Sequence, residues 1–351
     1  MRDVAVVSFA QAPNVRRDEA RTEVEILAPV VAEAVERSGI SKEEIAFTVS
    51  GSADYTAGLP FAFVAGLDVI GAWPPIRESH VEMDGAWALY EAWVRLQHGD
   101  IDSALVYSFG KSSSGDLAEV LAIQLDPYYV APLWPDPVSL AALQARAFLE
   151  ATGRTEADLA EVAARSRRDA LSNPNAQVTG DRKAEDLLSE PYLVSPLRKH
   201  DCPPISDGAA AVVLAAGDLA GRLTGRPAWI RGIDHRIEPH SLGVRDLATS
   251  PSTSQAGRFA GVSDGSVDLA ELHAPFTHQE LILRHALGLG DEVAVNPSGG
   301  AQAANPVMVA GLTRIGEAAT RITEHGATRA VAHATSGPCL QQNLVCVLEA
   351  A

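Results

Sequence analysis

The sequence predicts an α/β protein in which one order of strands and helices runs twice. Three observations carry that expectation. Short β-branched and Ala-rich runs alternate with segments of helical spacing through residues 1–110. A similar alternation resumes near residue 205 and continues to the end. Between them, residues 111–200 change texture, with a Pro- and aromatic-rich stretch followed by two helical patterns.

Taken in order, residues 4–9 (VAVVSF) read as a buried strand. Glu23–Ser38 carries apolar residues at helical spacing, and Gly39 ends it. Ser41 and Glu44 form a capping-box pattern ahead of a strand at 45–50. The stretch HVEMDGAWALYEAW, 80–93, reads as a strand turning into a helix (85–97) through small residues, with Asp84 as N-cap. Residues 103–109 (SALVYSF) are a further strand, and this order requires at least partly parallel pairing. Within 111–200, residues 122–137 read as a loop, helices are expected near 138–152 and 155–171, and 173–186 is polar turn material. The block reads as an insertion over the core, the kind that covers a binding site. Strand texture returns at 205–217 and 229–233. A helix near 268–287, a strand at 292–295, a helix at 305–324 and strands at 330–334 and 344–349 complete the chain. The two stretches share an order of elements without obvious sequence identity, which suits an internally duplicated fold with halves at 1–110 plus 201–224 and at 225–351, although periodicity alone does not establish it.

Composition narrows the partners. With 45 acidic against 28 basic residues the net charge is −17, which argues against nucleic acid and anionic membrane as ligands. The short basic clusters at 16–17, 165–168 and 198–200 read as solvated faces. The apolar runs are too short to span a bilayer or to form a signal peptide. Cys202, Cys339 and Cys346 have neither the number nor the spacing of a disulfide framework or zinc site, which fits a reducing cytoplasm. His235 and His240, like His273 and His278, stand five apart, one more than helical metal-ligand spacing wants, so no metal is expected. SFGKSSSG at 108–115 is too loose for a phosphate cradle.

Four segments together resemble the thiolase superfamily, and most closely its sterol-carrier and lipid-transfer branch. They are ISDGAAAVVLAA (205–216), ELHAPF (271–276), NPSGGAQAANPVMVAGLTRI (296–315) and AVAHATSGPCLQQNLVCVLE (330–349). They occur in the family's order and extend nearly end to end. The resemblance implies a duplicated thiolase fold, two βαβαβαββ halves layered α-β-α-β-α, and a homodimer. It also implies an acyl-CoA substrate, with coenzyme A entering as part of that substrate and no bound cofactor.

The family chemistry needs a cysteine thiolate at the helix elbow and donors for the thioester oxygen. The resemblance places Glu82 at the nucleophile position, and a carboxylate forms no stable acyl-enzyme because its acyl derivative is a mixed anhydride. Glu82 stands either as a strand-end residue or as a base or gatekeeper. His273 matches the first position of a motif whose family role is a donor near the substrate carbonyl, although Ala274 and Pro275 depart from that motif. Asn305–Pro306 occupies the place of a Gly-His-Pro motif; an Asn amide can donate to a thioester oxygen but cannot transfer protons. Gly299 and Gly300 would allow close backbone approach of substrate. His333 matches the branch's second acid–base position, with Cys339 as its rival in another register, and Cys346 reads as core.

These residues lead to three functional expectations. The first is a retro-aldol cleavage of β-hydroxyacyl-CoA in lipid or sterol side-chain breakdown, using His273, Asn305 and His333 without an acyl-enzyme. Superfamily aldolases of that kind work with a small OB-fold and zinc-ribbon partner of DUF35 type, which becomes an expected partner here; their tyrosines are absent from this chain. The second is an inactive subunit paired with an active relative. The third is an acyltransferase that uses Cys339. Trp and Tyr residues at 128–134 lie where an acyl tunnel could run, with loop packing as the simpler reading.

Overall fold

The computed structural model describes residues 1–58 and 60–350. Ten strands form one continuous sheet. The first five are β1 (Val4–Gln11), β2 (Thr48–Gly51), β3 (Glu78–Val81), β4 (Ser103–Lys111) and β5 (Asp207–Ala216). β2 pairs parallel with β3 and β4, β4 antiparallel with β5, and β5 antiparallel with β1. The second five are β6 (Ala228–Ile237), β7 (Leu269–Leu272), β8 (Ala294–Val295), β9 (Arg329–Ser336) and β10 (Gln342–Glu349). β7 pairs parallel with β8 and β9, β9 antiparallel with β10, and β10 antiparallel with β6. The spatial orders, 3-2-4-5-1 and 8-7-9-10-6, are the same pattern written twice, so the duplication stands on topology. The halves meet where β1 pairs antiparallel with β6 through Ala5 opposite Trp229 and Val6 opposite Ala228.

Helices complete five layers. The longer ones are α1 (Glu23–Ser38), α2 (Gly85–Gln97), α3 (Pro137–Thr152), α4 (Glu156–Asp169), α5 (Pro251–Ala260), α6 (Thr277–Leu287) and α7 (Ala310–Thr323). α1 begins in a Thr22–Glu25 capping box, closes on Gly39 at φ 71°, and lays Ile26, Leu27, Val30 and Val31 on the outer face of the first five strands. α2 and α7 lie between the two half-sheets, where Leu89, Leu96, Leu312 and Ile315 share one core with Val49, Val106, Ala332 and Cys346. α5 and α6 cover the far face, packing Ala256, Ile282 and Leu283 against Val331, Val345 and Val347. Apolar burial on both faces of both half-sheets supplies the main driving force for this arrangement.

Several boundaries differ from the sequence expectation. The helix expected at 268–287 is the strand β7 followed by α6, which starts only at Thr277. All four β7 residues are buried between β8 and β9, and a strand buried on both faces shows no alternation to distinguish it from a helix. The helix expected from 305 begins at Ala310, because 305–309 form a turn tied to Ser206 by a bridge at Pro306. The loop expected at 122–137 is preceded by a short helix, Leu117–Ile123, and α5 was not foreseen. α3 and α4 fall where two helices were expected, and α4 carries the Thr155–Asp158 capping box. Both pack onto α6. No described helix is long and apolar enough to cross a membrane.

Candidate active site

The two central helices start at the same place. Asp84 is the N-cap of α2, accepting from Ala86 N–H at 2.9 Å, and it also accepts from Gly311 N–H (2.9 Å) and Leu312 N–H (3.0 Å) at the start of α7. One buried carboxylate thus satisfies donors at two helix N-termini, where negative charge is favoured. Gly311 is required here, since a Cβ would run into the Asp84 carboxylate.

Beside this junction lies a cavity of about 330 Å³, whose exposed walls are mostly hydrocarbon. Asp84, His273, Asn305, Thr335 and Cys339 all line it. His273 stands just beyond the end of β7 and Thr335 near the end of β9. His273 Nε2 lies 2.9 Å from Asn305 Oδ1, and Thr335 N–H points at His273 Nδ1 from 3.4 Å. These partners fix the neutral tautomer: Nε2–H donates to Asn305 and the Nδ1 lone pair accepts the long contact from Thr335 N–H. Burial lowers the His273 pKa, opposed by the nearby charge of Asp84 and by the bond to Asn305, so the ring is neutral at neutral pH. Asn305 N–H donates to Ser206 Oγ at 3.0 Å. With its Oδ1 engaged by His273, the Asn305 amide has its NH₂ group left for a ligand.

The structure brings His273, Asn305 and Cys339 to one cavity, and it places four other sequence candidates elsewhere. Glu82 is outside the lining; its Oε1 accepts Asp54 N–H at 2.6 Å at the start of the short helix Asp54–Ala57. The residue that the resemblance sets at the nucleophile position is thus engaged in capping a helix. His333 is fully buried within the sheet, with Nε2 3.0 Å from Asn343 Oδ1 and its pKa pushed down to about 3 by burial. Asn343 Nδ2 donates to Ser252 Oγ and Leu340 O, so its Oδ1 must accept from His333. His333 therefore braces the 337–340 loop from behind rather than facing the cavity. Gly299 (φ 94°) and Gly300 (φ 60°) approach protein, not ligand: Cβ atoms there would strike Ala170 and Asn296.

Cys339 lines the wall at φ 55°, with Leu340 following at φ 58°. Arg245 and Gln144 hold this strained turn through the Cys339 carbonyl. Cys339 Sγ lies 3.5 Å from Leu140 O, and burial pushes the thiol up to about 11. Cys202, also on the wall, is pushed up to about 12 by burial and by the charges of Asp201 and Asp136. Neither is an activated thiolate. Cys346 is core, as the sequence indicates. Sequence reasoning missed Thr335 and the hydrocarbon wall from Leu117, Leu121 and Leu125. Tyr128, Tyr129, Leu133 and Trp134 are exposed and do not line the cavity. No group of three or more potential metal ligands occurs among the described residues.

This fold and site can be set beside known proteins. No family model matches the chain. It is 29% identical over 222 residues to an acetyl-CoA acetyltransferase of Methanothermobacter thermautotrophicus, a match covering 57% of this chain and 58% of that relative. It is 24% identical to sterol carrier protein 2 of Gallus gallus, over 78% of this chain and 58% of that protein. It is 23% identical to the 17-hydroxy-3-oxo-4-pregnene-20-carboxyl-CoA lyase of Mycobacterium tuberculosis, over 79% of this chain and 76% of the lyase. Among solved structures, an Ltp2-ChsH2(DUF35) aldolase superposes with a TM-score of 0.83 at 19% identity, covering 99% of this chain and 98% of that one. Human mitochondrial 3-ketoacyl-CoA thiolase superposes with a TM-score of 0.78 at 18% identity, covering 100% and 99%. The architecture is the duplicated thiolase fold. The sequence is similar to thiolase-superfamily proteins, sterol carrier protein 2 among them, in keeping with the fold.

Proposed function

We propose that this protein binds acyl-CoA thioesters and cleaves a β-hydroxyacyl-CoA by a retro-aldol reaction, without an acyl-enzyme. The observation that carries the reading is the His273–Asn305 pair on a cavity wall whose two thiols are both held protonated. In the proposed step the β-hydroxyl displaces the long Thr335 N–H contact (3.4 Å) and gives its proton to His273 Nδ1, and the oxygen's electron pair forms the new carbonyl. The Cα–Cβ bond breaks, its electrons pass to the thioester enolate, and Asn305 NH₂ donates to the enolate oxygen. Return of the proton to Cα releases a shortened acyl-CoA and a ketone or aldehyde. The buried Asp84 carboxylate favours the transient imidazolium, as its charge already opposes the depression of the His273 pKa.

The relatives' names, which include a CoA lyase and an aldolase, support this direction. The aldolase is named as a complex with a DUF35 partner, which supports a small partner of that type here. A homodimer is supported by β3, which pairs on one side only and ends the sheet. The fold's two halves are proposed as 1–110 with 201–224 and 225–351, around the 111–200 insertion, in a cytoplasmic protein. A second reading, a thioester-binding subunit without activity, is favoured by one observation: Glu82, which the resemblance sets at the nucleophile position, caps a helix. Incubating the protein, alone and with a DUF35-type partner, with β-hydroxyacyl-CoAs tests both. Release of a carbonyl product supports the lyase; intact substrate with retained thioester binding leaves the inactive subunit.

A further inference from the structure

The walls of the cavity carry a charge pattern that restricts what enters. Hydrocarbon from Leu117, Leu121, Leu125, Val138, Leu140 and Leu340 dominates the lining. Among the described lining residues there is no Lys or Arg, and the carboxylate-bearing ones are Asp84 and Asp136. Asp84 is buried, with both oxygens already hydrogen-bonded. Asp136, exposed, caps α3 through Val138 and Ser139. The cation behind the 337–340 loop, Arg245, does not offset them. Its guanidinium is 3% exposed, pairs with Glu238 at 3.3 Å and donates to the Pro338 and Cys339 carbonyls.

The polar side chains on the wall are no better suited to an anion. Gln279 Nε2 is committed to Gln144 at 2.9 Å, and its Oε1 accepts Phe276 N–H. Gln124 Nε2 is buried and has no partner among the described residues. The amide NH₂ groups of Gln124 and Asn305 and the Tyr55 hydroxyl are neutral donors that fit a hydroxyl or keto oxygen but do not supply the countercharge a desolvated carboxylate needs.

We propose that the cavity takes an uncharged, mainly hydrocarbon acyl group, and that it excludes acyl groups ending in a carboxylate. The inference rests on the acyl-thioester reading above and adds the substrate class to it. A carboxylate carried into this cavity would lose its water, meet no cation, and lie in the field of two aspartates. A methyl end loses only unfavourable hydration.

The test uses thioesters that cannot undergo the retro-aldol step, so that binding is read apart from chemistry. Calorimetry compares coenzyme A, decanoyl-CoA and the mono-CoA thioester of decanedioic acid on the full chain. Decanoyl-CoA is expected to bind more tightly than coenzyme A. The carboxylate-ended thioester is expected to bind no better than coenzyme A, about 100-fold below decanoyl-CoA. Equal affinity of the two thioesters overturns this inference and leaves the thioester reading standing. If neither thioester exceeds coenzyme A, both fall. The variant Leu121→Arg, on a half-exposed helix where a long side chain can be accommodated, is expected to improve binding of the carboxylate-ended thioester at least about tenfold. An unchanged ratio in a folded variant overturns the electrostatic basis.

Discussion

The Asp84 carboxylate accepts the Gly311 main-chain N–H at 2.9 Å, joining the starts of two helices from different halves of the duplicated fold. Because Asp84 also accepts from Ala86 and Leu312, its removal orphans buried donors on both helices at once. Asp84→Ala is expected to lower unfolding stability by about 2–4 kcal/mol, combining a lost N-cap with unsatisfied N–H groups. Asp84→Asn keeps an acceptor oxygen and should lose less than half as much. Urea titrations of the three proteins check this, and equal midpoints for Asp84→Ala and the parent would refute the double-cap argument.

His273 and Asn305 act as one unit in the proposed reaction, since the ring's Nε2–H sets the orientation of the amide. Asn305→Ala is expected to reduce kcat on a β-hydroxyacyl-CoA by about 100- to 1,000-fold with little change in KM, the signature of a lost transition-state donor. His273→Ala should lose at least as much. The double variant should be little worse than His273→Ala alone, because the two residues share a function. Fully additive losses would mean that they act independently.

The thiols make a contrary prediction to the acyltransferase reading. With Cys339 pushed up to about 11 and Cys202 to about 12, almost no thiolate exists at pH 7.5. Intact-protein mass should be unchanged after incubation with acetyl-CoA, and Cys339→Ser should leave retro-aldol turnover within about twofold. Alkylation of Cys339 should rise about tenfold per pH unit above neutrality. An added acyl mass mapped to Cys339 would restore the acyltransferase.

Legibility followed the physical signal each segment carries. α1 and α2 were readable because one face of each meets a sheet and their caps, Thr22 with Glu25 and Asp84, are local in sequence. β7 was not, because Leu269–Leu272 is buried on both sides and loses its period. The repeated strand order was invisible as sequence identity, since what the halves share is a pattern of pairing. In the site, His273 and Asn305 emerged from motif positions 32 residues apart, and the structure sets them in contact. His333 illustrates the opposite case. It lies on the same strand as Thr335, two residues away, yet only Thr335 reaches the cavity, and depth along a strand is a tertiary property. The hydrocarbon wall from the short Leu117–Ile123 helix left no periodic signal long enough to read.

Buried histidines set the acid side of the stability profile. His278 and His333 are both fully buried, and burial pushes each from 6.5 down to about 3. The sign follows from proton uptake. Below pH 6.5 the unfolded chain protonates these rings while the native state does not, so stability is complete above that pH and falls as pH drops toward 3. Each histidine contributes a slope of about 1.4 kcal/mol per pH unit in that window, or roughly 2.7 for the pair. The upper part of the window, from pH 6.5 to 5, lies above the range in which most carboxylates titrate. Urea unfolding at pH 7.5, 6.5, 5.8 and 5.0 should therefore show a flat region and then a decline. His278→Leu, which removes one titrating ring from a site where Nδ1 has no partner among the described residues, should make that decline shallower by one ring's share, the remainder belonging to His333 and to His273, whose pKa burial also lowers. A decline of unchanged slope in His278→Leu would show that this ring is protonated in the native protein and that its burial does not exclude the charge.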